Sequence, residues 1–204
     1  MSLKKLQIFV EGKTDKKIIE DFLKYKFPEK KDLFLVRDVG GKDRLGLALN
    51  SFNKNTDVGG INLILFDADS SENLGGFTKR LEELKSKIAE LQISSEIFLF
   101  PNHKDDGDLE TLLCSIAIEK HKVIFDCWEK YEDCLKSNKN HSYTIPSRKS
   151  KVYAYLEALL GKTNKEKELI SKPDYTNKEH WDLSHQNLNP LYQFIKENID
   201  ILQK

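Results

Sequence analysis

The sequence is 204 residues long and lacks any apolar run of membrane-spanning length, any CxxC pair, any repeat at a solenoid period and any net charge. The first absence excludes a spanning helix, and the apolar stretch at residues 6–10 is too short for the core of a signal peptide. A cytoplasmic protein with no membrane partner is therefore expected. Cys114, Cys127 and Cys134 form an odd set without zinc or redox spacing, as expected of unpaired thiols in a reducing compartment. His180 and His185 have no cysteine partners at a zinc spacing. Thirty-three basic residues balance 33 acidic ones, so tight nonspecific binding of nucleic acid would have to come from local patches.

What is present is a hydrophilic globular composition, 39% hydrophobic and 32% charged, in a chain long enough to bury a core. The stretch at 63–69 organises it. Leu63, Ile64, Leu65 and Phe66 read as a buried strand that stops abruptly at Asp67, Ala68 and Asp69. Before it, Leu6, Ile8, Phe9 and Val10 form a first strand ended by Glu11 and Gly12. A helix with an Ile18, Ile19, Phe22 and Leu23 stripe follows. Residues 33–36 read as a second strand, and the Gly40-Gly41 turn opens a helix carrying Leu45, Leu47, Leu49 and Phe52. After Asp69 a polar loop leads to Gly75 and Gly76. Then come a helix with Phe77, Leu81, Leu84, Ile88 and Leu91, a strand at 97–100, an acidic loop, and a helix with Leu109, Leu112, Leu113 and Ile116.

This βαβαβαβα alternation predicts an α/β fold with a central four-stranded parallel sheet flanked by helices. Beyond His121 the alternation stops. Helices are expected near 123–135 and 149–160, and Pro190 marks the first turn of a last one. The expected organisation is an α/β domain at 1–122 and a helical extension at 123–204 packed on it. Trp128, Tyr131, Trp181 and Tyr192 are expected to fill that extension.

Gly12-Lys13-Thr14 between a strand and a helix invites comparison with a P-loop, but the glycine that must stand five residues earlier is Gln7. Gly40, Gly41 and Gly46 likewise miss the dinucleotide spacing. The carboxylates say more, because open α/β sheets bind ligands at the carboxyl ends of their strands. Glu11, Asp67 and Asp69 should meet there. Two aspartates at i and i+2 on an extended chain point the same way, which suits joint ligation of a hard cation such as Mg²⁺ or Mn²⁺. Gly12 leaves room for a phosphate to approach the backbone.

Glu11-Gly12 after the first strand, with Asp67-Ala68-Asp69 after a later one, resembles a TOPRIM domain, the Rossmann-like module of topoisomerases, primases and overcoming-lysogenisation-defect nucleases. The resemblance covers roughly the first 120 residues. Pro101-Asn102, Gly107-Asp108-Leu109-Glu110, the basic residues before a late helix and the Asn-Pro-Leu segment near the end are similar to a stand-alone branch of TOPRIM-like prokaryotic proteins. It implies that Glu11 is a general acid or base and that Asp67 and Asp69 hold Mg²⁺ during cleavage or joining of strands. It further implies that Asp108 and Glu110 supply a second metal shell. Unlike the larger families, this sequence carries neither an ATPase module nor a topoisomerase cleavage domain.

Bland roles stand beside these. Asp108 suits an N-cap as well as a ligand, and Glu110 suits the first turn of a helix. Lys13 and Arg44, on the same edge, are either phosphate contacts or solvated cations. Arg148, Lys149 and Lys151 lie in a basic stretch without acidic residues, either a nucleic-acid patch or a solvated segment. The leading expectation is a Mg²⁺-dependent nuclease acting on DNA or RNA. One alternative is a noncatalytic nucleic-acid or protein docking module beside a partner such as an ATPase. Another is a haloacid-dehalogenase-type phosphatase with Asp67 as nucleophile, although its motif here ends the third strand and Ser71 replaces the expected threonine or valine.

Overall fold

The structure is a computed structural model that describes residues 4–71, 75–139 and 141–204, without the side chain of Lys42. The expected polar loop after Asp69 therefore lies partly outside the described residues. Four strands, β1 (Leu6–Val10), β2 (Phe34–Asp38), β3 (Ile61–Asp67) and β4 (Glu96–Phe100), form one parallel sheet in the order β2-β1-β3-β4. The helices between them are α1 (Lys13–Lys26), α2 (Leu49–Asp57) and α3 (Phe77–Leu91). The fold is thus a Rossmann-like α/β fold, as the alternation predicts. Among the described residues no helix is long and apolar enough to cross a membrane.

Central strands are covered on both faces, which is why, Gln7, Asn62 and the terminal Asp67 apart, β1 and β3 are apolar rather than alternating. All five β1 residues are buried, whereas β2, at the sheet edge, buries only Val36. One face packs Phe9, Ile64, Phe66 and Leu99 against Leu45, Phe52 and Leu84, with Phe9 stacked on Phe52 at 3.7 Å between ring centroids. Burial of each such aromatic contributes about 2–3 kcal/mol. The helix expected around Leu45 is instead a 3-10 segment, Lys42–Ala48, that passes into α2, and it leaves Leu47 83% exposed. The tighter winding turns Leu45 inward and Leu47 out.

At the amino end of the sheet the same face carries a buried polar network. Gln7 Nε2 and Asn55 Nδ2 both donate to Asn62 Oδ1, at 3.1 and 3.0 Å. Asn62 Nδ2 reaches the carbonyls of Phe52 and Ser94 and the Thr56 hydroxyl. Gly60 makes room for it, since a Cβ there would stand 2.3 Å from Asn55 Oδ1.

The chain divides into two compact units, Met1–Leu112 with Ser184–Lys204, and Leu113–Leu183. This division falls earlier than the boundary expected near Lys122. The last helix, α8 (Asn189–Leu202), returns to the sheet unit because its Leu191, Ile195 and Ile199 are core residues and Phe194 lies 5.4 Å from the Phe98 ring. Tyr192 stacks on Phe27 in the same unit, at 5.3 Å, and so does not serve the second unit as expected.

The fourth helix of the chain, α4 (Leu109–Ser115), begins in the first unit and ends in the second. The second also holds α5 (Val123–Ser137), α6 (Arg148–Leu159) and α7 (Asn164–Ser171). Its core gathers Tyr155, Tyr175 and Trp181, and the Tyr155 hydroxyl donates to the His180 carbonyl at 2.6 Å. Tyr131, expected in that core, is 47% exposed.

Asn62 Oδ1 accepts from two other buried amides, and removing it leaves each with one buried hydrogen bond fewer, Gln7 retaining the Ser51 carbonyl and Asn55 the Lys5 and Ile61 carbonyls. Asn62→Leu is expected to cost about 3 kcal/mol, read as a lowered urea midpoint with an unchanged slope.

Candidate active site at the carboxyl edge

With the order β2-β1-β3-β4, the connections reverse direction between β1 and β3, and the crevice outside their carboxyl ends is the topological switch point. Glu11 follows β1 and Asp67 ends β3 at that point. Register brings them together. Val10 pairs with Leu65, which sets Glu11 beside Phe66, and the Glu11 side chain reaches one residue further, where its Oε1 accepts the Asp67 N–H at 3.1 Å. Asp67 Oδ1 in turn accepts the Leu109 N–H, at the first residue of α4, at 2.9 Å.

Both carboxyls titrate high. Burial is the main cause for Glu11, reinforced by the charges of Asp15 and Asp69, while the Asp67 amide and the Arg80 charge pull the other way. Burial raises Asp67 well above the ordinary carboxylate range, and the charges of Glu11, Asp15 and Glu110 add to it. Negative charge is therefore in local excess although the chain as a whole is neutral.

Asp69 departs from the extended geometry expected of it. Its φ is 60°, in the left-handed region, and its Oδ2 forms an ion pair with Arg80. The two aspartates consequently do not present themselves side by side as an i, i+2 pair on a strand would. Arg80 is 4% exposed and also holds Glu83 at 2.7 Å.

Asp108 accepts from the Thr111 amide and hydroxyl, at 2.8 and 2.6 Å, which is the capping role weighed for it. Glu110 lies in the first turn of α4, where its charge reaches Asp67. Gly12 starts α1, its N–H donating to Asp15 Oδ2 at 2.8 Å, and Lys13 is exposed beside it. The Gly40 and Gly41 amides both donate to the Glu11 carbonyl. The Arg44 side chain lies against Gly40, 3.3 Å from where a Cβ would be, so Arg44 does stand on this edge.

Arg148 and Lys149 open α6 in the second unit and are exposed. Lys151 is instead tied down within that unit, 2.8 Å from Glu129 and over the Phe125 ring.

Three residues escaped the sequence reading. Arg80 had a signal, a charged residue three positions after Phe77 on the apolar stripe of α3. Asp15 had the capping pattern, a carboxylate three residues after Gly12. Asp106, whose Oδ1 accepts the Phe77 N–H at 2.7 Å and so caps α3 from a distant loop, had none.

Among the described residues no three His, Cys, Asp or Glu side chains form a ready cation cage. Mg²⁺, however, is commonly held by one or two carboxylates with water and substrate phosphate. Glu11 and Asp67 supply oxygen donors of that kind, and burial is the main cause that raises both, with neighbouring carboxylate charges adding to it. The donor set fits.

What the fold and this edge define is a Rossmann-like α/β protein whose topological switch point holds desolvated carboxylates. The chain belongs to the family described as "Protein of unknown function (DUF3226)", which matches residues 5–200. No curated protein and no solved structure matches it.

An acid whose pKa is raised by folding is easier to deprotonate in the unfolded chain, so its cost to stability appears as pH rises above the unfolded value and is absent below it. Asp67→Asn keeps an oxygen acceptor for Leu109 and removes the charge. It is expected to raise the Tm by a few degrees at pH 8, a gain that disappears as pH falls to about 4, where the unfolded carboxyl is itself protonated. Thermal melts across that range check it.

Proposed function

We propose that the protein is a TOPRIM-like, Mg²⁺-dependent phosphoryl-transfer enzyme acting on nucleic acid, most simply a nuclease. The observation that carries this reading is the meeting of Glu11 and Asp67 at the switch point, joined through the Asp67 amide and both titrating high. Asp67 and Glu11 would hold the cation, and Asp69, turned out of the extended geometry and paired with Arg80, would act on it only through its charge. The cation supplies charge stabilisation at the scissile phosphate.

Glu11, its proton affinity raised by burial, is suited to move a proton to or from the attacking or departing oxygen. The amides of Asp67 and Leu109 orient the two carboxylates without neutralising them. Lys13 and Arg44 stand on the same edge, where a phosphate backbone would pass. Asp108 serves as cap, and Glu110 acts on the site through its charge. Arg148 and Lys149 provide further exposed cations for a nucleic-acid backbone.

Purified protein incubated with supercoiled plasmid and with labelled single-stranded DNA and RNA is expected to cut at least one of them with Mg²⁺ or Mn²⁺ and not with chelator. Glu11→Gln and Asp67→Asn should each lower the rate by at least about 100-fold. Retention of substrate on a filter without cleavage would instead establish a noncatalytic docking module, and neither outcome with any substrate would remove nucleic acid from the reading.

A further inference from the structure

Lys151, in the basic stretch expected to meet a polyanion, is paired with Glu129, whereas the first unit groups cations along α1. Lys13, Lys16 and Lys24 fall on one face of that helix by their spacing. Lys13 follows Gly12 at the carboxyl edge that carries Glu11, and Lys24 lies about 16 Å further along the helix axis. The stripe therefore leads from the candidate site along β2, on which α1 packs, toward the amino end of the sheet.

There it borders a cleft of about 290 Å³ between α1 and β2, lined by the apolar Leu23, Phe34 and Val36 and by Lys16, Lys24 and Lys31. β2 is an edge strand, and among the described residues no strand lies beyond it. Leu35, in the same cleft, is 37% exposed. Glu20, the acidic residue of the lining, lies 3.8 Å from Lys16, while Lys24 and Lys31 are exposed and have no carboxylate partner among the described residues. Lysine at a sheet edge deters pairing with other chains, but that role leaves a cleft with an apolar lining unexplained. Lysine is also depleted where proteins meet proteins, so the charge of the cleft argues for a polyanion rather than a peptide. Cations set around a half-buried aromatic ring meet the needs of a single nucleic-acid strand, whose phosphates seek the first and whose unstacked bases seek the second. A duplex keeps its bases in the stack, out of reach of such a ring.

We infer that the cleft between α1 and β2 binds a single strand of nucleic acid, Phe34 stacking on a base while Lys24 and Lys31 hold phosphates, with Lys13 leading the strand to the edge where Glu11 and Asp67 meet. This rests on the nucleic-acid reading of that edge, and on neither a bound cation nor turnover. It also places the local patch that a chain without net charge needs: on the face of a helix that starts at the site.

The test is the fluorescence anisotropy of labelled oligothymidine and oligouridine on the full chain, in chelator so that nothing is cut. Lys24→Gln combined with Lys31→Gln is expected to weaken binding about tenfold and to lower the slope of log affinity against log salt by about 1.4, or about 0.7 for each phosphate released. Phe34→Leu keeps an apolar side chain and is expected to weaken binding about fivefold or more with the slope unchanged. Lys165→Gln combined with Lys167→Gln, exposed on α7, removes the same charge elsewhere and is expected to change affinity by about twofold or less. Phe34 also lies 5.8 Å from the Phe27 ring, so if Phe34→Leu fails to fold, the two exposed lysine pairs decide. Equal weakening by both lysine pairs, wild-type affinity in the Lys24 and Lys31 pair or in folded Phe34→Leu, or a duplex bound as tightly as the single strand would overturn the inference and leave the carboxyl edge free to act on nucleic acid. Absence of binding by the unmodified protein, in chelator and with Mg²⁺ alike, would overturn that reading and this inference together.

Discussion

The hydrogen bond from the Asp67 amide to the Glu11 carboxylate fixes the geometry at the centre of the molecule, because it requires two strands distant in sequence to end side by side. Only a sheet in which β1 and β3 are neighbours satisfies it, and that adjacency is also what opens a crevice between oppositely directed connections. The bond substitutes a protein dipole for water at a carboxylate that burial would otherwise neutralise. Leu109 does the same for Asp67. Each amide compensates part of the desolvation and none of the charge, so the site remains acidic by construction.

That adjacency is secured far from the crevice. A parallel pair can slip by one residue, and a slip would turn every side chain to the other face. Along β1 and β3 the apolar run offers no discrimination against this, since apolar residues occupy both faces of both strands. Discrimination comes from Gln7 and Asn62, which bond each other across the registered sheet and would lose that buried bond on a slip. The polar end of the sheet thus sets the alignment that the carboxylate end uses.

The strands and the first helices were legible because their signal is local: apolar runs bounded by glycine or aspartate, and stripes at helical spacing. Asp67 and Glu11 were legible as strand-end carboxylates. Asp69 was misread in geometry, since alternation along a strand holds only while the chain stays extended, and two residues past β3 its φ is 60° with its carbonyl bonded to the Gly107 amide. Asp106 was invisible because it caps a helix 29 residues back in the chain. The return of α8 to the sheet unit was equally hidden. Its apolar face is as suited to a helical bundle as to a sheet, and only tertiary contact with Phe27 and Phe98 decides.

Zero net charge conceals a strong separation of charge at one edge. Glu11, Asp67, Asp15 and Glu110 act on one another there, and Arg80 is already engaged with Asp69 and Glu83. A polyanion approaching that centre is repelled, whereas Lys13 and Arg44 beside it attract the same polyanion. On the proposed reading these opposed fields have a division of labour: the exposed cations retain a phosphate backbone at the rim, and the buried carboxylates admit it only once a divalent cation has reversed the sign of the centre. Cation and substrate would then bind in order, and the absence of a basic excess, which argues against indiscriminate retention of nucleic acid, becomes compatible with catalysis on it.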